Sequence, residues 1–171
     1  GHRADLKLGV KQRFGNAFAY VTPAAAIQHT SYKLDATTDD TVHRTLPTAS
    51  VDAGLFFERP LRDGRWLQTL EPRMYYTYTP FRDQSAIPIF DSSNKTLSYS
   101  QLFNSNRFTG KDRVEDANRL STSVTTRIQD TENGREVFRA SVGQMYHFED
   151  RNIALPGESI ASGSRSELVF E

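Results

Sequence analysis

Residues 119–129 read Arg-Leu-Ser-Thr-Ser-Val-Thr-Thr-Arg-Ile-Gln, and this stretch decides the fold. Successive side chains of a β-strand point to opposite faces of its sheet. The even positions carry Leu120, Val124 and Ile128 with two threonines, whereas every odd position is polar or charged. The stretch therefore predicts a strand with one apolar or threonine-lined face and one polar face.

The same alternation recurs along the chain and predicts seven strands. Their approximate bounds are 5–14, 17–33, 48–58, 65–79, 118–130, 136–149 and 164–171. Several are longer than the roughly 9–11 residues with which a tilted strand crosses a bilayer, whereas most strands have about 5–6 residues. The second segment contains Pro23, which predicts a bulge or a bend in place of regular pairing.

The connections between these strands alternate between short and long. The short ones carry glycine beside Asn or Asp, at Gly15-Asn16, Asp63-Gly64 and Asn133-Gly134, and the long ones cover about 34–47, 80–117 and 150–163. Outer-membrane β-barrels have short turns at one end and long loops at the other. A soluble sandwich or a lipocalin-like barrel would alternate in the same way, so the pattern leaves that alternative open.

Composition bounds the classes of function. The chain has 171 residues, and Lys+Arg 21 balance Asp+Glu 21, so charge gives no argument for a nucleic-acid partner. The mean hydropathy is −0.59, which a barrel tolerates because only alternate residues face lipid. Cysteine is absent, so this stretch has no disulfide and no thiolate metal site.

No catalytic, cofactor-binding or metal-binding constellation stands out, and we predict a protein that is not an enzyme. The four histidines, His2, His29, His43 and His147, are scattered without the spacing of metal ligands. His147 lies on the polar face of its segment and is predicted to be solvated. Gly143 lies on the same face, where it is predicted to leave room for a neighbouring side chain.

The long connection 80–117 combines apolar residues with balanced charge. A loop of this length inside a domain is usually functional or a sign of a wrong assignment. Its composition predicts a folded excursion that packs on another part of the molecule.

At this loop the sequence resembles the LptD (Imp/OstA) family of lipopolysaccharide-assembly proteins. The similarity is dense over about residues 66–150. It is carried by the runs Thr69-Leu70-Glu71-Pro72-Arg73, Tyr78-Thr79-Pro80-Phe81-Arg82-Asp83-Gln84-Ser85, Phe90-Asp91-Ser92, Tyr99-Ser100-Gln101-Leu102-Phe103, Asn106-Arg107-Phe108, Asp112-Arg113, Asp116-Ala117-Asn118, Thr125-Thr126-Arg127, Val142-Gly143-Gln144 and Tyr146-His147-Phe148.

The resemblance implies a transmembrane antiparallel β-barrel of the Gram-negative outer membrane that places lipopolysaccharide in the outer leaflet. The implied partners are lipopolysaccharide, the plug lipoprotein LptE, outer-membrane lipids, and a periplasmic lipopolysaccharide bridge reached through an N-terminal domain. We expect residues 1–171 to be a mid-barrel part of the C-terminal barrel domain, with that N-terminal domain absent. The turns at 15–16, 60–64 and 131–135 are then periplasmic and the long loops external. A general porin or a ligand-gated channel is the alternative function.

Two sets of candidate residues follow from these patterns. The first set faces the barrel lumen and would meet the plug lipoprotein or the phosphorylated sugar head, as in an arginine-rich phosphate site; an ordinary porin-like lumen remains open. Its members are Arg65, Thr69, Glu71, Arg73, Arg119, Ser121, Arg127, Arg139 and Glu149.

The second set would lock the 80–117 loop inward or over the barrel mouth. Salt bridges inside the loop, between its aspartates and Arg82, Arg107 and Arg113, are predicted in preference to a carboxylate cluster. The members of this set are Arg82, Asp83, Asn106, Arg107, Phe108, Asp112, Arg113 and Asp116.

Overall fold

The computed structural model describes residues 1–33, 41–62 and 64–171. Within these ranges the chain forms nine β-strands and one short 3₁₀ helix. The elements are β1 His2–Lys11, β2 Phe14–Gly15, β3 Ala19–Lys33, β4 Thr41–Leu55, β5 Phe57–Leu61, β6 Trp66–Thr79, the 3₁₀ helix Tyr99–Phe103, β7 Ala117–Asp130, β8 Glu136–His147 and β9 Val169–Phe170. No helix among the described residues is long and apolar enough to cross a bilayer.

All nine strands belong to one antiparallel sheet with the order β1-β3-β4-β6-β7-β8-β9. β2 pairs with β3 and continues β1, while β5 pairs with β6 and continues β4. Consecutive strands are therefore neighbours, as in a meander, and the sheet is not closed within the described residues. The prediction of an all-β antiparallel wall is confirmed.

The sheet runs through its prolines without a change of register, so the predicted bulge or bend at Pro23 is wrong. Pro23 pairs with Val51 in an unbroken β3–β4 ladder. Its carbonyl accepts a hydrogen bond from Gln12 N–H at 3.2 Å, but proline has no N–H to return. The interruption therefore appears in the strand beside β3. β1 ends at Lys11, and pairing with β3 resumes at Phe14 in β2.

A second proline accounts for the break between β4 and β5. β4 pairs Gly54 with Arg73, and β5 pairs Phe57 with Leu70. The same register places Leu55 opposite Pro72, which cannot donate to it. Both interruptions thus arise from a missing donor on the adjacent strand.

The strand predicted at 48–58 begins earlier, at Thr41. The long connection predicted over 34–47 is therefore wrong for residues 41–47, while residues 34–40 lie outside the described part, as does residue 63 of the predicted Asp63-Gly64 turn. The outward positions here are polar, and the rings of His29 and His43 stack there at 5.8 Å. Because the outward face is polar and Arg44 interrupts Val42 and Leu46 on the inward face, alternation gave no strand signal. Of the predicted strand 164–171, the structure forms only β9, Val169–Phe170, and one isolated bridge between Tyr146 and Arg165.

The extra length of β3 and β4 matters for the site. β4 pairs with β6 only from Ala49 to Gly54, because β6 ends at Thr79. The β3–β4 hairpin therefore extends past its neighbour on one side. Its polar face there carries Arg44, and the connection from β6 to β7 packs against it.

Burial across the sheet is the reverse of that in a water-soluble protein. On the apolar face Leu8 is 60% exposed and Phe138 50%, whereas on the polar face Thr77 and Ser121 are 0% exposed. Soluble sheets bury their apolar side, and a large exposed apolar surface marks a contact with lipid or protein. The soluble sandwich or lipocalin-like alternative is therefore wrong.

A charge placed on the exposed apolar face gives a direct test. Val124, at the centre of β7, is exposed there. We expect Val124→Arg to reduce folding of the full-length protein into phospholipid vesicles, because arginine at the bilayer midplane costs about 2–4 kcal/mol. The folded fraction is read from heat-dependent gel mobility, with Val124→Leu as the control. Equal folding of the two variants would contradict the assignment of this face to lipid.

Candidate functional site: a loop folded onto the polar face

Residues 80–116 connect β6 to β7 and pack on the polar face; we call them the folded loop. Its centre is the carboxylate of Asp112, which is fully buried. One oxygen accepts the N–H groups of Phe90 at 2.6 Å and Asp91 at 2.7 Å. The other accepts from Arg3 Nη1 at 2.7 Å and Tyr32 Oη at 3.1 Å. One side chain therefore joins two arms of the loop to β1 and β3.

The loop is joined to β4 through Arg44, which is also buried. Its guanidinium donates to Gln84 Oε1 and to the carbonyls of Asp112 and Lys111, each at 2.7 Å. The Gln84 amide in turn donates to Val114 O at 2.7 Å and accepts from Val114 N–H at 3.1 Å. Arg44 and Gln84 thus satisfy backbone groups that the loop would otherwise bury without partners.

A second buried carboxylate, Glu115, lies where the loop enters β7. Its Oε1 accepts from Arg119 Nη1 at 2.6 Å and from Arg107 N–H at 2.9 Å. Burial raises the pKa of the Glu115 carboxyl, against the opposing effect of the Arg119 and Arg107 charges. Arg119 also donates to Asn104 O, so the ion pair closes the loop onto the sheet.

Asn106 cross-links the loop internally. Its side-chain oxygen accepts from Glu115 N–H at 3.0 Å, and its amide donates to Arg113 O at 3.3 Å. Arg113 itself donates to Ile87 O at 2.9 Å. These bonds hold residues 113–115, which lead into β7, against the earlier part of the loop.

Asp116 ties the folded loop to residues 148–168, which we call the second loop. Its carboxylate accepts the N–H groups of Asn152 at 2.8 Å and Ile153 at 3.0 Å. Arg107 donates to Ile153 O from the other side. The two loops therefore form one layer over the polar face.

A few apolar contacts complete this layer. Leu102, on the 3₁₀ helix, is fully buried and lies over Gly143 of β8, where a Cβ would collide with the Leu102 side chain. The prediction that Gly143 leaves room for a neighbour is confirmed. Beside it, Tyr99 Oη hydrogen-bonds to Ser123 at 3.1 Å and Thr125 at 2.8 Å.

The folded loop covers only part of the polar face, and the rest forms an open concavity of about 450 Å³, which we call the wall cavity. Two ion pairs in its lining join neighbouring strands. Arg73 binds the Asp52 carboxylate through two bonds, at 2.9 and 2.7 Å. Arg127 Nε lies 3.2 Å from Glu71.

Seven of the nine predicted lumen residues lie on the polar face. Arg119 and Ser121 are under the folded loop, while Glu71, Arg73, Arg127 and Arg139 line the wall cavity and Thr69 donates to Glu71 at 2.8 Å. Two residues are placed differently. Arg65 precedes β6 and lies over the Trp66 ring, and Glu149 follows β8 and accepts from Asn118 of the apolar face at 2.9 Å.

The predicted loop residues divide in a similar way. Arg82 and Asp83 are exposed and bond only locally, to Phe81 O and Ser85 N–H. The other six, Asn106, Arg107, Phe108, Asp112, Arg113 and Asp116, lie within the packed layer.

The salt bridges predicted inside the loop are replaced by other partners. Asp112 pairs with Arg3 of β1 at 2.7 Å, and Arg107 with Glu115, whose Oε2 lies 3.7 Å from Arg107 Nε. Asp116 takes backbone N–H groups in place of an arginine. Sequence reasoning missed Arg3 and Arg44, because nothing in their own strands signals a partner far along the chain.

His147 lies buried on the polar face and is not solvated as predicted. Among the described residues, no group of three or more His, Asp or Glu side chains is placed to hold a metal ion.

An antiparallel wall with an exposed apolar face, a polar face and long loops folded onto that face defines the class: part of an outer-membrane β-barrel. The family model described as LptD, LPS transport system D, matches residues 1–171. The chain belongs to the LptD family, as the sequence runs around the long loop predicted.

Curated relatives agree with this assignment. The LPS-assembly protein LptD of Alkalilimnicola ehrlichii is 44% identical over 100% of this chain, which covers 24% of that relative. The LPS-assembly protein LptD of Nitrosococcus oceani is 43% identical over 100% of the chain and 24% of the relative, and that of Xanthomonas oryzae pv. oryzae is 41% identical over 99% and 22%. The chain thus spans about a quarter of the length of these relatives.

The Asp112 carboxylate gives the first test of this layer. We expect Asp112→Asn to loosen the loop, because the amide removes the ion pair with Arg3 and sets an NH2 donor against one of the two pairs of donors that the carboxylate accepts; such losses cost about 1–3 kcal/mol. Hydrogen exchange of a peptide spanning 88–93 should accelerate by roughly tenfold or more. The control is Asp83→Asn, an exposed carboxylate on the same loop. Unchanged exchange in Asp112→Asn would show that Asp112 does not hold the loop.

The Leu102–Gly143 contact gives the second test. We expect Gly143→Val to displace the 3₁₀ helix, since the added methyl groups occupy the space of Leu102, and overpacking costs about 1–3 kcal/mol. The readout is trypsin cleavage of the loop at Lys95 and Arg107 in folded full-length protein. Ala140→Leu adds the same number of carbons to the outward face of β8 and serves as the control. If both variants resist trypsin like the parent, the contact does not position the loop.

Proposed function

We propose that this chain forms part of the wall of the translocon that inserts lipopolysaccharide into the outer leaflet of a Gram-negative outer membrane. The observation that carries the proposal is the reversed burial of the sheet, with apolar side chains exposed and polar ones buried. A wall of this kind separates lipid outside from a polar interior. The relatives' shared name, LPS-assembly protein LptD, supplies the substrate.

In this proposal residues 1–171 belong to the barrel domain, and the sheet has a defined orientation. The turns near 15–16, 60–64 and 131–135 face the periplasm, and the folded loop and the second loop lie at the external end. An N-terminal periplasmic domain of the whole protein would receive lipopolysaccharide from the periplasmic bridge. This orientation puts the Asp112 and Glu115 networks at the outer mouth.

The wall cavity is the part of the chain best suited to meet a large polar partner. It is lined by Lys11, Arg13, Arg73, Arg127 and Arg139. Arg13 lies 4.1 Å from the Tyr20 ring centroid, whereas the Arg73 charge is shared with Asp52. A surface that mixes free cations with ion pairs suits either the LptE plug or a phosphorylated sugar head.

The folded loop acts as a fixed cap in this proposal. Asp112, Arg113, Asn106, Arg107, Phe108 and Asp116 lock it onto the sheet and the second loop. Arg82 and Asp83 are left out of the lock, because they are exposed. A cap held by buried charge stays closed while lipid leaves elsewhere, so it guards the outer membrane against leakage.

Site-specific photocrosslinking tests the proposed path. A photoreactive residue at position 71, 73 or 127 of the full-length protein in cells should capture the plug lipoprotein or lipopolysaccharide, because these side chains line the wall cavity. The matched controls are positions 70 and 74 on the opposite face of β6, which should not capture the plug lipoprotein and should capture lipopolysaccharide only from the surrounding membrane. If positions 71, 73 and 127 behave like the controls, the assignment of this face to the path fails.

Conductance separates this function from a porin or a gated channel. With the loop layer in place, we expect the complete protein in planar bilayers to conduct little. A steady open-pore conductance that Asp112→Asn does not raise would favour the channel.

A further inference from the structure

A second cavity, distinct from the wall cavity, lies between the two loops and strands β7 and β8. It has a volume of about 160 Å³, and we call it the loop cavity. Its polar lining is strongly cationic: Lys95 and Arg107 come from the folded loop, Arg119 from β7, His147 from β8 and Arg151 from the second loop. Five basic side chains from four elements thus meet at one small space.

The carboxylates near this cavity do not neutralise it. Glu115 contacts Arg119 and Arg107, and Asp116 is occupied by N–H groups of the second loop. Four formal positive charges, on Lys95, Arg107, Arg119 and Arg151, therefore face two negative ones. Like charges gathered at low exposure cost free energy unless an anion joins them.

Several of these groups also have unused hydrogen-bonding capacity. Arg119 is 2% exposed, and its Nε, like that of Arg151, is buried without a hydrogen-bond partner within the described part of the chain, whereas Arg107 Nε faces Glu115. Arg151 uses its Nη2 for Gly163 O at 3.3 Å. Burial, followed by the positive charge of Arg107, lowers the pKa of the Arg151 guanidinium. A charged acceptor in the cavity would reverse both effects.

We propose that the loop cavity is a binding site for a phosphate-type oxyanion, held by Lys95, Arg107, Arg119 and Arg151. Guanidinium forks match the oxygens of phosphate geometrically. The volume of about 160 Å³ leaves room for one phosphoryl group. The anion would tie the folded loop to the second loop and to β7, and so strengthen the layer.

The oxyanion could be inorganic phosphate or the phosphate monoester of a sugar. The sugar-phosphate source rests on the proposed function, whereas binding of inorganic phosphate does not. Failure here is also distinct from failure of the proposed path, since the crosslinking positions line the wall cavity.

Titration calorimetry on the detergent-purified full-length protein tests the site. The probes are inorganic phosphate, glucosamine 1-phosphate and, as the neutral comparison, glucosamine. We expect saturable binding of at least one phosphorylated probe and none of glucosamine. Binding should weaken at least tenfold in the double variant Lys95→Gln with Arg151→Gln and stay unchanged in Arg82→Gln with Arg135→Gln, which loses the same charge at exposed positions.

Each outcome decides the question. Binding of inorganic phosphate supports a free-anion site, and binding of glucosamine 1-phosphate alone supports a sugar-phosphate site. Absence of binding by both, or equal binding by the two double variants, overturns the proposal. If the first double variant does not fold, Arg151→Lys keeps the charge but loses the fork; it should weaken binding several-fold, and unchanged affinity would overturn the proposal.

Discussion

The constraint on which the rest of this structure depends is that the sheet's inner face is polar. Side chains along each strand face alternately outward and inward. The inward-facing side chains are rich in serine, threonine, arginine and carboxylates. A segment that folds onto such a face cannot be held by hydrophobic burial alone. The folded loop is accordingly fixed by hydrogen bonds to charged groups, which contribute about 1.5–3 kcal/mol each, with Leu102 and Phe108 as its fully buried apolar anchors.

This way of holding a loop has consequences for its behaviour. Asp112 and Arg44 each serve several partners from different parts of the chain. In a buried network the loss of one member leaves the others unsatisfied. The layer should therefore open as a unit, and removing one partner costs more than the pair gained in forming. A loop layer with these properties is either fully packed or fully released, with few intermediate states.

The strands of the wall could be predicted from sequence, because the alternation of polar and apolar residues is contained within each strand. Alternation in 119–129 identified β7, and the same rule placed Arg73 and Arg127 inside and Leu70 and Phe138 outside. The rule failed at 41–47, where the outward face is polar and Arg44 interrupts the inward one. It also misread Pro23, because the proline interrupts the paired strand and not its own. It also failed past strand ends, where Arg65 and Glu149 leave the alternation. When a predicted strand extends one or two residues beyond the real one, a side chain at its end is assigned to the wrong surface.

Only the outline of the loop layer could be predicted from sequence, because the topology of the sheet decides which residues meet in it. Residue types in 80–117 indicated a folded loop with buried charge, yet Asp112 meets Arg3, which lies 109 residues away. That meeting requires β1 to reach the loop-covered end of the sheet beside β3, and the long β3–β4 hairpin to place Arg44 under the loop. The same hairpin explains why the two halves of the polar face differ. Between Ala49 and Gly54 of β4, strands pair their own charges across the sheet and leave an open cavity. Beyond Thr79 the sheet narrows, its charged side chains pair with the loops, and cations from the folded loop, β7 and the second loop converge on one small space.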